Sequence, residues 1–210
     1  MSSTLVAQPE TRTERKRRKT RDRLVSAAEK LMTSRPIDDV QIKHITETAD
    51  IGHGTFYLHF KSKYDILVPI VRSRAVTWDH AIQQRVADME DPAELMVFSG
   101  RHMSRLIQRD PIWRWFLKHA GVPVDEMRAA IGPFTARDFA QAVRAGRFNI
   151  PDAQFTSRFL FGAYVSSLLE SFEASDPERV IDLMMELVLR VLGLDDHEAA
   201  EMAHCPLKPL

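Results

Sequence analysis

The chain of 210 residues has a single cysteine, Cys205, set in the tail HCPLKPL. One thiol excludes an intrachain disulfide and any metal site built on a cysteine cluster. A proline-flanked tail is also a poor place for the electropositive pocket that a nucleophilic thiol needs. No apolar run approaches the ~18–20 residues that span a bilayer. The N-terminus is polar and then basic, without the apolar core of a secretory signal. Alternating strand patterns, hairpin signals and internal repeats are all missing. So are the usual marks of an enzyme: a convergent metal set, a glycine-rich phosphate loop, or a nucleophile beside a base. His80, His102 and His119 are scattered and read as surface or core residues. These absences leave an all-α, cytoplasmic protein with no membrane segment, no metal, no cofactor and no catalytic centre.

What is present is an uneven charge. The formal net charge is zero, yet residues 1–74 hold 15 Lys/Arg against 9 Asp/Glu, and the rest hold 14 against 20. A basic head on an acidic body points to a polyanion as the partner of the head alone.

Met1 to Thr11 is polar and expected to be irregular, and RTERKRRKTRDR (Arg12 to Arg23) reads as a basic arm running into a helix. Leu24, Ala27, Ala28, Leu31 and Met32 recur there at helical spacing, with Pro36 beyond the end. A short second helix follows, marked by Val40 or Ile42, Ile45 and Ala49. Ser62 opens a fourth through SKYD, which is similar to a capping box, and Pro69 within that helix is expected to kink it. Further helices are expected at 91–109, 111–120, 124–146, 152–173 and 177–192, with a short one at 195–203. Asp-Pro pairs at Asp91, Asp110 and Asp176 mark three of the starts.

The stretch between the second and fourth helices, ADIGHGTFYLHFKSK (Ala49 to Lys63), spends polar and aromatic side chains where a core would want Leu and Val. In a third helix from His53 or Gly54 to Phe60, Phe56 and Phe60 share the inward face. His53, Gly54, Tyr57, Leu58 and Lys61 then face solvent. Thr55, Tyr57 and His59 bring hydrogen-bond donors, and Lys61 and Lys63 bring charge, Lys63 at a helix N-terminus that favours phosphate. His53 and His59, six apart on a short helix, cannot share a metal ion, which needs three or four convergent ligands. A short exposed helix ringed by phosphate donors fits the recognition helix of a helix-turn-helix.

ITETADIGHGTFYLHFKSKYDIL (Ile45 to Leu67) resembles the DNA-binding signature of the TetR (tetracycline-repressor-like) regulators, I-A-x-x-A-G-V-S-x-G-T-[LF]-Y-x-[HY]-F-x-x-K-x-x-L. The resemblance implies that Thr55, Tyr57, His59 and Lys63 touch the DNA backbone and that His53, Gly54 and Leu58 face base edges. Gln41, which opens the second helix where Thr is usual, and Lys61 join the contact set. Two departures stand out: Asp50 replaces the glycine of the turn, and Gly52 replaces the serine that caps the third helix.

The family further implies a homodimer on double-stranded operator DNA, with a helical body that binds an unidentified small effector. The expected division is a basic arm at 1–19, a helix-turn-helix domain at 20–67, an effector-binding and dimerisation domain at 68–194 and a tail at 195–210, with about nine helices. Candidate effector-pocket residues are the aromatics and methionines of the body: Trp78, Met96, Met103, Trp113, Phe116, Met127, Phe134, Phe139, Phe159 and Tyr164, with His102, His119, Arg101 and Arg105 as polar groups. Phe155, Phe159, Leu168, Leu169, Phe172, Ile181, Met184, Leu187, Val188 and Val191 form the candidate dimer stripes. Gly162, Ala163, Ser166 and Ser167 would permit close approach of helices. The expected function is a repressor released from a palindromic operator by a largely apolar effector; an activator or a ligand-independent regulator of the same fold is the alternative.

Overall fold

A computed structural model of the chain describes residues 11–119, 137, 139–207 and 209. Among them there is no strand. They fall into two compact units divided between Ile70 and Val71.

The first unit holds α1 (Arg12–Ser34), a 3₁₀ turn (Ile37–Asp39), α2 (Ile42–Thr48) and α3 (His53–Phe56). The basic run is thus not an arm ahead of a helix; it is the first three turns of α1. Thr11 fixes the start: Glu14 N donates to its Oγ1 (3.2 Å), and Thr11 N donates to Glu14 Oε2 (2.8 Å), a complete capping box. The Thr11 backbone bond also holds the Glu14 carboxyl below its ordinary pKa. Further along, Leu24, Ala27, Ala28, Leu31 and Met32 are buried and make the centre of the unit, with Val40, Ile45, Phe56 and Phe60.

The turn between α2 and α3 shows how Asp50 replaces a glycine. Asp50 takes φ of 51°, a left-handed conformation that Asp tolerates better than most residues. Ile51 N reaches back to Thr46 O (2.9 Å) and Asp50 N to Glu47 O (3.1 Å), the two bonds of a Schellman closure. Arg23 pins it from α1, donating to the carbonyls of Ala49 (2.5 Å) and Asp50 (3.1 Å).

Helix α4 (Leu67–Arg85) starts five residues later than Ser62 would have it. The SKYD residues form a hydrogen-bonded turn instead. Asp65 N donates to Ser62 Oγ (3.2 Å), but the Asp65 carboxylate accepts from Lys61 N (2.8 Å) rather than from Ser62 N. Pro69 therefore sits in the first turn, where backbone N–H groups have no intrahelical acceptor, and it removes no ladder bond. The expected kink has no cause. Pro69→Ala should accordingly shift stability by less than about 1 kcal/mol, whereas relief of a mid-helix proline would give about 3 kcal/mol; urea denaturation separates the two.

The second unit contains α4 from Val71 onward, α5 (Pro92–Arg109), α6 (Pro111–Lys118), α7 (Ala153–Ser171), α8 (Pro177–Val191) and α9 (Asp196–His204). Residues 139–144 are also helical; the rest of the helix expected at 124–146 lies outside the described residues, apart from Arg137, or has left the helix by 145. Asp91, Asp110 and Asp176 each cap a helix whose first residue is Pro, accepting from backbone N–H groups one turn on. Helix α5 packs against α6, α7, α8 and α9, and α8 lies against both α7 and α9. None of the described helices is long and apolar enough to cross a membrane.

Candidate DNA-contact face and effector cavity

In the first unit α3 makes one α-helical turn and continues in tighter turns to Phe60, with His59 N bonded to Phe56 O (2.9 Å). Gly52 caps it without a side-chain bond. Phe56 and Phe60 are buried, and this turns the rest outward: Leu58 is 70% exposed and Tyr57 53%. His53, Gly54 and Lys61 are also exposed, as is Gln41 at the start of α2, whereas Thr55 and His59 are half-buried. The His53 and Tyr57 rings lie 5.5 Å apart, so these two side chains form one projecting ridge. Burial, then the charges of Arg17 and Arg21, hold the His59 imidazole below its ordinary pKa, which keeps it neutral at pH 7.

Lys63 is placed differently from expectation. With α4 starting at Leu67 it is not at a helix N-terminus. Its Nζ donates to the carbonyls of Ile37 (3.0 Å) and Asp38 (2.8 Å), tying the 3₁₀ turn to the segment after α3. Lys63 positions the face in this structure, and a phosphate would have to draw it away from two carbonyls.

In the second unit a cavity of about 110 Å³ opens between α4, α5, α7 and α8. Four expected pocket residues line it: Met96, Met103, Phe139 and Tyr164. The others do not. Trp113 and Phe116 are fully buried in an aromatic cluster with Trp78, the two indole rings 6.2 Å apart. His102 packs on Phe98 at 4.2 Å. Phe159 is 56% exposed on α7, and Met127 and Phe134 lie outside the described residues. Helical spacing finds the apolar positions but does not say which of two apolar faces a given residue joins. Of the expected polar groups, Arg101 and Arg105 are ion-paired to Asp182 and Glu178 of α8, and His119 stacks on Trp115.

The polar lining goes beyond the expected set. Asp79, only 7% exposed, accepts two hydrogen bonds from the Arg137 guanidinium (3.1 and 3.3 Å). Ser104 donates to the Gly100 carbonyl (2.7 Å), and its oxygen is 3.1 Å from the Tyr164 hydroxyl. A hydroxyl has one proton, so the phenol is the donor between them. Burial pushes the Tyr164 pKa up, so the phenol stays protonated. Ser99 Oγ is buried with no partner among the described residues. Gly100 lets the wall close, since a Cβ there would meet Met185 Sδ at 2.8 Å. Among the described residues no three acidic, His or Cys side chains converge on a possible metal site.

The expected dimer stripes divide between two faces. Phe155, Phe159, Leu169, Leu187 and Val191 are exposed, joined by Leu183. Leu168, Phe172, Ile181, Met184 and Val188 are buried within the protomer, and Met184 and Val188 line the cavity. Apolar residues occupy both faces of α8, so a count along the sequence merges them.

The chain is similar to known proteins along nearly all of its length. Residues 24–69 match the model for bacterial regulatory proteins of the tetR family, and residues 91–205 match the tetracyclin repressor-like C-terminal domain. A crystal structure of RolR in complex with resorcinol superposes with a TM-score of 0.84 at 32% identity, covering 93% of this chain and 98% of that one. The HTH-type transcriptional repressor KstR of Mycolicibacterium smegmatis is 24% identical over 82% of this chain and 88% of its own. Thermus thermophilus FadR with lauroyl-CoA shares the fold (TM-score 0.71, 18% identity, 83% and 96% covered). The chain belongs to the TetR family of transcriptional regulators and is not an enzyme.

Proposed function

We propose that the protein is a cytoplasmic, homodimeric repressor that leaves its operator when a small single-ring molecule bearing hydroxyl groups fills the cavity of the second unit. The observation that carries this reading is the chemistry of that cavity. Its walls are largely Met, Phe, Leu and Ile, broken by the Asp79 carboxylate, the Tyr164 phenol and the buried Ser99 hydroxyl. Such a site binds by apolar contact and orients by a few polar groups. An apolar cavity of roughly 150 Å³ holds one benzene ring, and about 110 Å³ is of that order. Asp79 favours hydroxyl donors over carboxylates. The similar protein RolR was crystallised with resorcinol, a ring of this class.

On the DNA side, His53, Gly54 and Leu58 face base edges, while Thr55, Tyr57 and His59 meet phosphates, with Gln41 and Lys61 at the margins; Lys63 serves mainly to hold the face. Helix α4 is the covalent route between the two activities, because it begins before Ile70 and carries Asp79 and Ile82 to the cavity wall. The ligand must bind one arrangement of the heads better than the other.

The test is a thermal-shift panel of single-ring phenols, benzoates and long-chain acyl compounds, followed by mobility shifts on the DNA upstream of the protein's own gene. Phenols should stabilise the protein and release the DNA, and Asp79→Asn should weaken both effects. Stabilisation by phenols with operator affinity unchanged rejects induction; stabilisation by acyl chains alone rejects the ligand class.

A further inference from the structure

The core stripe of α1, Leu24, Ala27, Ala28 and Leu31, continues by helical spacing to Thr20, Arg17, Lys16 and Thr13. The inward face thus turns from apolar to cationic where α1 runs on beyond the domain centre. Those four residues form one wall of a groove whose other wall is Thr55, Leu58 and His59.

Three observations say what the groove takes. Its cations are held in place, because the Thr11–Glu14 capping box keeps the first turn helical and the same helix is anchored through Leu24 to Met32. They are also not neutralised: Glu14, the sole acid in residues 11–20, is bonded to Thr11, and among the described residues no carboxylate pairs with Lys16 or Arg17. Finally, the opposite wall contributes Leu58, a residue of the exposed α3 face, together with the half-buried Thr55 and His59. Cations on a fixed helix beside the recognition element suit a regular line of phosphates.

We propose that this groove seats one strand of the DNA backbone, with Lys16 and Arg17 as phosphate ligands and Thr13 as a further donor. Thr20 acts as a spacer, since its hydroxyl donates to the Lys16 carbonyl (3.0 Å). The site rests on the reading of the protein as a DNA-binding regulator and adds contacts outside the helix-turn-helix itself. Because residues 12–20 are already part of α1, they follow the backbone and do not enter the minor groove as an extended arm would.

The experiment measures the affinity of the full chain for a mixed-sequence duplex of about three helical turns, by fluorescence anisotropy over a range of salt concentrations. Each phosphate neutralised contributes about 0.9 to the slope of log affinity against log salt. Lys16→Ala with Arg17→Ala should lower that slope by about 2 for one bound protomer, or about 4 for two, with the circular dichroism spectrum unchanged. Lys16→Arg with Arg17→Lys should keep the slope. Lys30→Ala with Arg35→Ala removes equal charge from the other end of α1 and should change it far less. A double-alanine slope equal to wild type, or a fall matched by the Lys30/Arg35 pair, overturns the site while leaving the DNA-binding reading intact. Salt-insensitive wild-type binding, or none, overturns both.

Discussion

Leu187→Glu should leave the protomer folded yet monomeric, and lower affinity for a two-half-site operator by about 10²–10⁴-fold. Leu187 is 61% exposed on α8, and Phe155, Phe159, Leu183 and Val191 are also exposed on α7 and α8. A Glu at an exposed helical position costs the isolated protomer little. In a two-fold interface the same substitution enters twice, burying two uncompensated carboxylates among apolar side chains. Losing the dimer converts a bivalent contact into a single one, which is where the affinity goes. Sedimentation and circular dichroism read the two halves separately. A variant that stays both folded and dimeric would place the interface elsewhere. Leu189→Glu is the contrasting case: Leu189 is fully buried, so the protomer itself should unfold.

The contrast between Leu187 and Leu189 also shows what a sequence can and cannot reveal. Local rules are fully legible. Asp-Pro at 91, 110 and 176 starts helices because Asp caps and Pro tolerates the first turn, and the structure begins α5, α6 and α8 accordingly. Phe56 and Phe60 are buried because they are four apart on a short helix. The helical state of the basic run is legible as well, despite its likeness to an arm: Lys and Arg are good helix formers, and Thr11 with Glu14 three residues later is a capping-box signature. What the spacing does not supply is the assignment of apolar residues to faces, since α8 is apolar on two sides and only the packing of α5, α7 and α9 decides which is covered. The polar cavity residues are harder still. Asp79, Ser99 and Tyr164 lie on three helices, and no local pattern announces that they meet.

Arg101→Met should destabilise the second unit by about 3–5 kcal/mol at neutral pH, and by less as the pH falls. Arg101 is 5% exposed; its Nε meets Asp182 Oδ1 at 2.8 Å, and a terminal nitrogen donates to the Cys205 carbonyl at 2.6 Å. It therefore joins α5, α8 and the end of α9 at one buried point. Removing it leaves the Asp182 carboxylate, 18% exposed, without its principal counter-charge. Burial already holds the Asp182 pKa above its ordinary value, with Arg101, His204 and Arg105 opposing and Glu178 assisting. A carboxyl whose folded pKa is raised binds its proton more tightly when folded, so it favours the native state at low pH, and that benefit is lost as the pH rises through the folded pKa. Without Arg101 the folded pKa climbs further, and the deficit of the variant should shrink between neutral pH and the ordinary carboxylate range. Adding Asp182→Leu removes the stranded charge, so the double variant should recover much of the loss and show less pH dependence than Arg101→Met alone. Urea titrations of the full chain at several pH values, with and without Asp182, supply all the terms. A deficit for Arg101→Met that stays constant with pH, or a double variant no more stable than the single one, would mean that Arg101 acts through packing alone.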